Sequence, residues 1–228
     1  SMTDFSHGGD EVAFGTIGNA SCAEGMFWES VNAIGVLHAP AVVSIWDDEY
    51  GISVPNDLQL TGGDVGALLR GFQRAPGGRD GFEIRAVRGW DYPALVGVYL
   101  EVTDIARREH VPAIVHVTEL TQPQGHSSSG SHERYKSKDR LAWEREFDCL
   151  YKMRQWIVNQ GIATAGEMDR LDDEAQAAVE GIRAQAWHDF QTPILAERAE
   201  VLALLDELVA AGHGAAVTPI RDALAAVA

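Results

Sequence analysis

Residues 11–17, EVAFGTI, form a short apolar run that gives way to the small residues Gly18-Asn19-Ala20-Ser21. This predicts a buried strand running into a tight turn. From about residue 23 to residue 38 the apolar positions fall into helical spacing, with Phe27, Val31, Ile34 and Leu37 on one face. A second apolar run, residues 40–46, stops at Asp47-Asp48-Glu49 and reads as another buried strand. Strand, helix and strand within so short a span predict a parallel βαβ unit. The pattern repeats with a helix over 65–73, an alternating strand over 82–87, a helix over 93–109 and a third buried strand over 112–117.

Residues 121–139 are polar and rich in breakers, with neither period, and a loop of that length is functional or disordered in most chains. Three helical stretches then follow, over 141–160, 166–188 and 193–211. Gly212-His213-Gly214 ends the last, and Thr218-Pro219 opens a short helix running to Ala228. There is no internal repeat and no coiled-coil heptad. The expected architecture is α/β: a parallel sheet flanked by helices over 1–140, then a helical region and linker over 141–228. The chain's ending reads as a cut within a longer polypeptide.

The 228 residues carry 18 Lys and Arg against 34 Asp and Glu, a net charge of −16, which argues against nucleic acid as a partner. No apolar stretch approaches the roughly 20 residues of a spanning helix, so no membrane is expected. The N-terminus lacks the basic and apolar regions of a signal peptide, and Cys22 and Cys149 cannot build a disulfide framework; both favour a reducing, cytoplasmic setting. An anionic ligand would have to be held by something other than bulk charge.

Ligands of parallel sheets bind at the carboxyl ends of strands, near helix N-termini. Two loops meet that description: Gly18-Asn19-Ala20-Ser21, with its exposed N–H groups, and Asp47-Asp48-Glu49-Tyr50, with its carboxylates. Together they suit a diphosphate and the Mg²⁺ that bridges it. Taken singly, the first also reads as an ordinary turn and the second as a solvated surface loop.

The stretch G18-N-A-S-C-A-E-G-M-F-W-E-S-V-N32, followed by P40-A-V-V-S-I-W-D-D-E-Y-G-I-S-V-P55, resembles the thiamine diphosphate motif of the alpha subunit of 2-oxo-acid dehydrogenase decarboxylating components. That motif runs GDGA, EG-F-E, N, and later NN-YAIS. Further on, G125-H-S-S-S-G-S, R134-Y and D148-C-L-Y-K-M-R-Q-W-I-V-N-Q-G-I-A-T resemble the family's GHS-SD, YR and downstream helix. The similarity covers about residues 11–187.

The resemblance implies thiamine diphosphate and Mg²⁺ as cofactors. Metal would be held by Asn19, Asp48 and the Tyr50 carbonyl, and the cofactor by Gly18, Asn19, Ala20, Ser21, Asp48, Tyr50, Ile52 and His126. The family has Asp where this chain has Asn19, and Asn where it has Asp48; the exchange keeps one carboxylate and one amide, and so the ligand count and charge. His126 would assist acyl transfer to lipoamide, a proton-handling task that imidazole suits. The family's Arg before GHS is replaced by Thr121-Gln122-Pro123-Gln124, with Arg134 or Lys136 as substitutes. Ser127, Ser128 and Ser129 resemble a loop phosphorylated in mitochondrial relatives and read here as a loop ordered by cofactor. Glu29 either supports the cofactor loop or lies on a helix surface.

His38, His110 and His116 read as packed or surface residues, Cys22 lacks a base, and Trp143, Trp156 and Trp187 read as core or interface residues. The implied activity is decarboxylation of a small 2-oxo acid with acyl transfer to a lipoyl acyltransferase, in an oligomer with a pyrimidine-binding beta subunit or fused domain. Other thiamine enzymes, acetoin dehydrogenase or a transketolase-like protein, stay open, as does a noncatalytic assembly domain. The fragment alone is expected to be inactive.

Overall fold

The structure, a computed structural model, describes residues 9–123 and 132–227. Four strands form one parallel sheet: β1 (Ala13–Gly18), β2 (Ala41–Trp46), β5 (Glu83–Arg88) and β6 (Ala113–Thr118), in the order β1-β2-β6-β5. The two central strands, AVVSIW and AIVHVT, are the most buried, as expected when both faces of a parallel sheet are covered. Alternation along them divides the core. Ile45 and Ile114 face Phe27, Val31, Val65, Leu69 and Phe82, a layer built by helix α1 (Gly25–Val36) and the short helix α2 (Val65–Leu69). Val42, Ala113, Val115 and Val117 face Val102 and Ala106 of helix α3 (Tyr92–Glu109) on the other side. The α/β fold read from the sequence is thus the fold observed.

Strand β1 lies at the sheet edge, and its Phe14 is 63% exposed. A two-stranded hairpin, β3 (Tyr50–Gly51) with β4 (Val54–Pro55), follows β2. Helix α3 begins where the Asp91 side chain accepts from Ala94 N at 3.1 Å, with Pro93 in its first turn, and ends at His110 in the left-handed region.

The helix expected over 141–160 is two helices, α4 (Lys138–Glu146) and α5 (Cys149–Asn159). Asp148 separates them, its carboxylate capping α5 through Tyr151 N at 2.8 Å. Likewise the break expected between 188 and 193 is absent: α6 (Ala165–Leu208) runs 44 residues through Pro193, from a capping box of Thr164 with Glu167. One proline removes one N–H donor, and the Ala-, Leu- and Glu-rich flanks carry the helix across it. The true break comes at Gly212, at φ 99°, and α7 (Gly214–Ala225) starts before Thr218-Pro219.

The chain divides into one compact unit ending at Ile162, which includes α4 and α5, and another from Ala163 onward. Local packing ties α4 to the first unit, as its ion pairs below show. The second unit holds α6 and α7, joined by an Arg221–Asp206 ion pair at 2.9 Å, and no described residue in it is buried. By length and composition the run Ala165–Ala225 could cross a membrane, with an 18-residue window of mean hydropathy 1.4.

Phe82 is completely buried and meets Phe72 edge to face at 6.3 Å. Phe82→Ala is expected to cost about 3–5 kcal/mol. Urea unfolding checks this, and a loss below about 1 kcal/mol would mean that the layer under α1 and α2 does not carry the fold.

Candidate functional site

The site is built at the carboxyl ends of β1, β2 and β6. Gly18 pairs in register with Trp46, and Asn19 N donates to Trp46 O at 3.0 Å, so the two loops predicted as neighbours are neighbours. Asp47 N donates to Val117 O at 2.9 Å, and Leu120 N to Asp47 O at 3.2 Å, which brings in the end of β6. A cleft of about 790 Å³ opens there, lined by Gly18, Asn19, Ala20, Ser21, Asp48, Tyr50 and Ile52 together with Gln59, Thr121 and Cys149. Seven of the eight predicted cofactor-contacting residues therefore share one cavity wall. His126, the eighth, lies outside the described residues with Ser127–Ser129.

The hairpin packs closely on the first loop. A Cβ on Gly51 would lie 2.6 Å from Ala20 Cβ and 2.4 Å from Gln59 Oε1, so only glycine fits. Its next residue, Ile52, has φ 60° and is 57% exposed, an unusual backbone conformation for a β-branched side chain.

Asn19 is buried and its Nδ2 donates twice, to Tyr50 O at 3.0 Å and to Asn56 Oδ1 at 2.7 Å. Asn56 Nδ2 in turn donates to Asp47 Oδ1 at 3.0 Å, which also accepts from Glu49 N at 2.8 Å. Asp47 Oδ2 lies 2.8 Å from His116 Nε2. Sequence reasoning placed Asp47 in the acidic loop without a role of its own, did not single out Asn56, and took His116 as packed or surface; it is packed, and it anchors this chain. Burial works against ionisation of Asp47, but the hydrogen bonds from His116, Glu49 N and Asn56 and the His116 charge outweigh it and hold the carboxyl low.

Asp48 is different. Its Oδ1 accepts from Tyr50 N at 3.2 Å, and burial pushes its carboxyl up despite that bond and the charge of Lys136, with Asp47 adding to the rise. Behind the acidic turn, Arg140 donates to Asp48 O at 2.9 Å and pairs with Glu49 and, at 2.9 Å, with Glu144. Lys136 Nζ lies 2.6 Å from Glu144 Oε1 and 4.9 Å from the Tyr50 ring centre. Lys136 is thus engaged in a buried pair, while Arg134 is exposed on the turn His132–Arg134 and is not among the described residues that line the cleft. Burial first, then Asp47, pushes the Cys22 thiol up to about 12, which fits its reading as a non-nucleophile.

The oxygens offered are the Asp48 carboxylate, Asn19 Oδ1 and the second lone pair of Tyr50 O. This set fits a small hard cation that also takes phosphate oxygens. Among the described residues no cluster of three or more His, Cys, Asp or Glu side chains forms a metal site, so a cation here would need amide and carbonyl oxygens beside the single carboxylate of Asp48.

A parallel α/β sheet with a cleft at the carboxyl ends of its strands belongs to the class of folds that bind ligands there. The chain belongs to the dehydrogenase E1 component family, whose model matches residues 3–194. It is 26% identical over 180 residues to the pyruvate dehydrogenase E1 component subunit alpha of Rickettsia typhi, covering 76% of this chain and 50% of that protein. To the mitochondrial 2-oxoisovalerate dehydrogenase subunit alpha 2 of Arabidopsis thaliana it is 28% identical over 156 residues, 67% of this chain and 30% of that one. To the 3-methyl-2-oxobutanoate dehydrogenase subunit alpha of Mycobacterium tuberculosis it is 24% identical over 177 residues, 77% and 44% of the respective chains. The chain spans at most about half the length of these relatives.

Two outcomes test the geometry. The Asp48 carboxyl ionises less readily in the folded chain than in the unfolded one, so its ionisation lowers stability as pH rises through the folded value. Asp48→Asn should therefore raise the melting temperature of ligand-free protein at neutral pH and lose that advantage in acid; an equal shift at both pH values would count against the buried charge. Ile52→Gly should stabilise by roughly 0.5–1 kcal/mol as the left-handed strain is relieved. A lower urea midpoint would show that the Ile52 side chain contributes more than its backbone costs.

Proposed function

We propose that the chain is the thiamine diphosphate- and Mg²⁺-binding part of a 2-oxo-acid dehydrogenase that decarboxylates a 2-oxo acid and passes the acyl group to lipoamide on a partner acyltransferase. The observation that carries this reading is the single cleft lined by Gly18, Asn19, Ala20, Ser21, Asp48, Tyr50 and Ile52, with one carboxylate among its oxygen donors. Asn19, Asp48 and Tyr50 O would hold Mg²⁺, and Gly18, Ala20 and Ser21 would meet the diphosphate. Thiamine diphosphate, when bound, supplies the carbanion chemistry. The chain's own work is to hold metal and diphosphate, to orient the cofactor against Ile52 and to keep water from the reacting face. His126 would handle a proton during acyl transfer. A beta subunit or fused domain would bring the pyrimidine-binding half of the site.

Calorimetry on the full-length protein with thiamine diphosphate and Mg²⁺ tests the reading. Saturable heat that requires both ligands is expected, with affinity weakened about tenfold or more in Asp48→Ala. Absence of heat at high ligand concentration would favour a noncatalytic assembly domain. Release of CO₂ from a panel of 2-oxo acids with an artificial electron acceptor separates the proposed activity from acetoin dehydrogenase or transketolase-like chemistry.

A further inference from the structure

We infer that residues 20 and 51 are a coupled positioning pair, in which one methyl group, here from Ala20, sets the spacing between the loop after β1 and the hairpin tip that carries Ile52. The inference rests on the binding reading given above, because that spacing matters to a ligand only if one molecule spans both loops. Ala20, Gly51 and Ile52 line the same cleft. A Cβ on Gly51 would lie 2.6 Å from Ala20 Cβ, whereas two methyl carbons pack at roughly 3.5–4.0 Å.

Neither backbone can retreat. Asn19, just before Ala20, donates to Trp46 O and, through its side chain, to Tyr50 O, both at 3.0 Å, and Cys22, just beyond it, is completely buried. On the other side Glu49 O accepts from Asn56 N at 2.9 Å, and Gly51 pairs with Val54. The added Cβ would also meet Gln59, with Oε1 and Nε2 at 2.4 and 2.7 Å, but these are the far end of a side chain held by an exposed donation to Val54 O at 2.6 Å. Gln59 can swing aside; the Ala20 methyl cannot.

The turn shows what the glycine is for. Ile52 and Ser53 are the two loop residues of the hairpin, and of the two only Ile52 has positive φ, the pattern of a type II′ turn, which calls for glycine at that first position. The glycine stands one residue earlier, at 51, where φ is not positive. Gly51 is therefore there for space, and the left-handed strain falls on Ile52. In the GDGA and YAIS motifs that these stretches resemble, the sizes stand the other way round, with Gly at 20 and Ala at 51.

Gly51→Ala, Ala20→Gly and the swap of both are compared in the full-length protein by melting temperature without ligand and by calorimetric affinity for thiamine diphosphate with Mg²⁺, measured below every melting transition. Gly51→Ala should lower the melting temperature and weaken binding about tenfold. Ala20→Gly should be harmful in the parent but beneficial in the Gly51→Ala background, bringing affinity back to within about threefold of the parent. Gln59→Ala in that background should give no such recovery, and Phe82→Ala, destabilised in the core, should bind as the parent does. Should Gly51→Ala fail to fold, a folded swap is the rescue, and a swap that also fails to fold overturns the inference. Additive effects on affinity, recovery through Gln59→Ala instead of Ala20→Gly, parent-like affinity in both single variants, or an equal loss in Phe82→Ala overturn it as well, and leave the binding reading intact as long as the parent binds. No binding by the parent removes the binding reading and this inference with it.

Discussion

The Asp47 carboxylate is the point on which the site depends. Its backbone is stitched to the end of β6 through Val117 and Leu120, and its side chain gathers His116 from β6, the Glu49 amide from its own turn and Asn56 from beyond the hairpin. Asn56 then reaches the loop after β1. One buried anion therefore sets the mutual position of three strand ends and the hairpin. Buried carboxylates persist only when their lone pairs are satisfied, and this one is met by donors on each oxygen. The loops of the cleft inherit their geometry from that requirement more than from any propensity of their own.

Much of the architecture was legible because it follows local rules. Runs such as AVVSIW and AIVHVT can be little else than strands covered on both faces, and the rule that ligands meet parallel sheets at carboxyl ends led directly to Gly18–Ser21 and Asp47–Tyr50. What escaped was long-range or competitive. Asn19 and Asn56 are 37 positions apart and Asp47 and His116 are 69 apart, so no window of sequence contains the network. His116 sits inside an apolar strand, where packing is the natural reading. Lys136 looked available for phosphate because its partner Glu144 belongs to the following helix. Asp148, a helix cap, was hidden inside a helical period, and the gap expected between 188 and 193 is helix because the one donor missing at Pro193 does not break it.

The net charge of −16 gains a local meaning. Around the cleft the cations are already committed: Lys136 and Arg140 lie behind the acidic turn, bound to Glu144 and Glu49 and stacked near the Tyr50 ring. They stiffen the turn and temper the Asp48 charge, yet face away from a ligand's role. Under the proposed function, positive potential for a diphosphate would come from loop N–H groups and from a cation held by the same acidic turn.

Strand β1 has a further consequence, outside the site altogether. Among the described residues it pairs with β2 alone, and its other edge lies beside the exposed Phe14. An unprotected, apolar strand edge is a template for another chain's strand. Handled by itself at high concentration, this polypeptide should self-associate through that edge, and a lysine or proline introduced there on the solvent side would be the natural means of keeping it monodisperse.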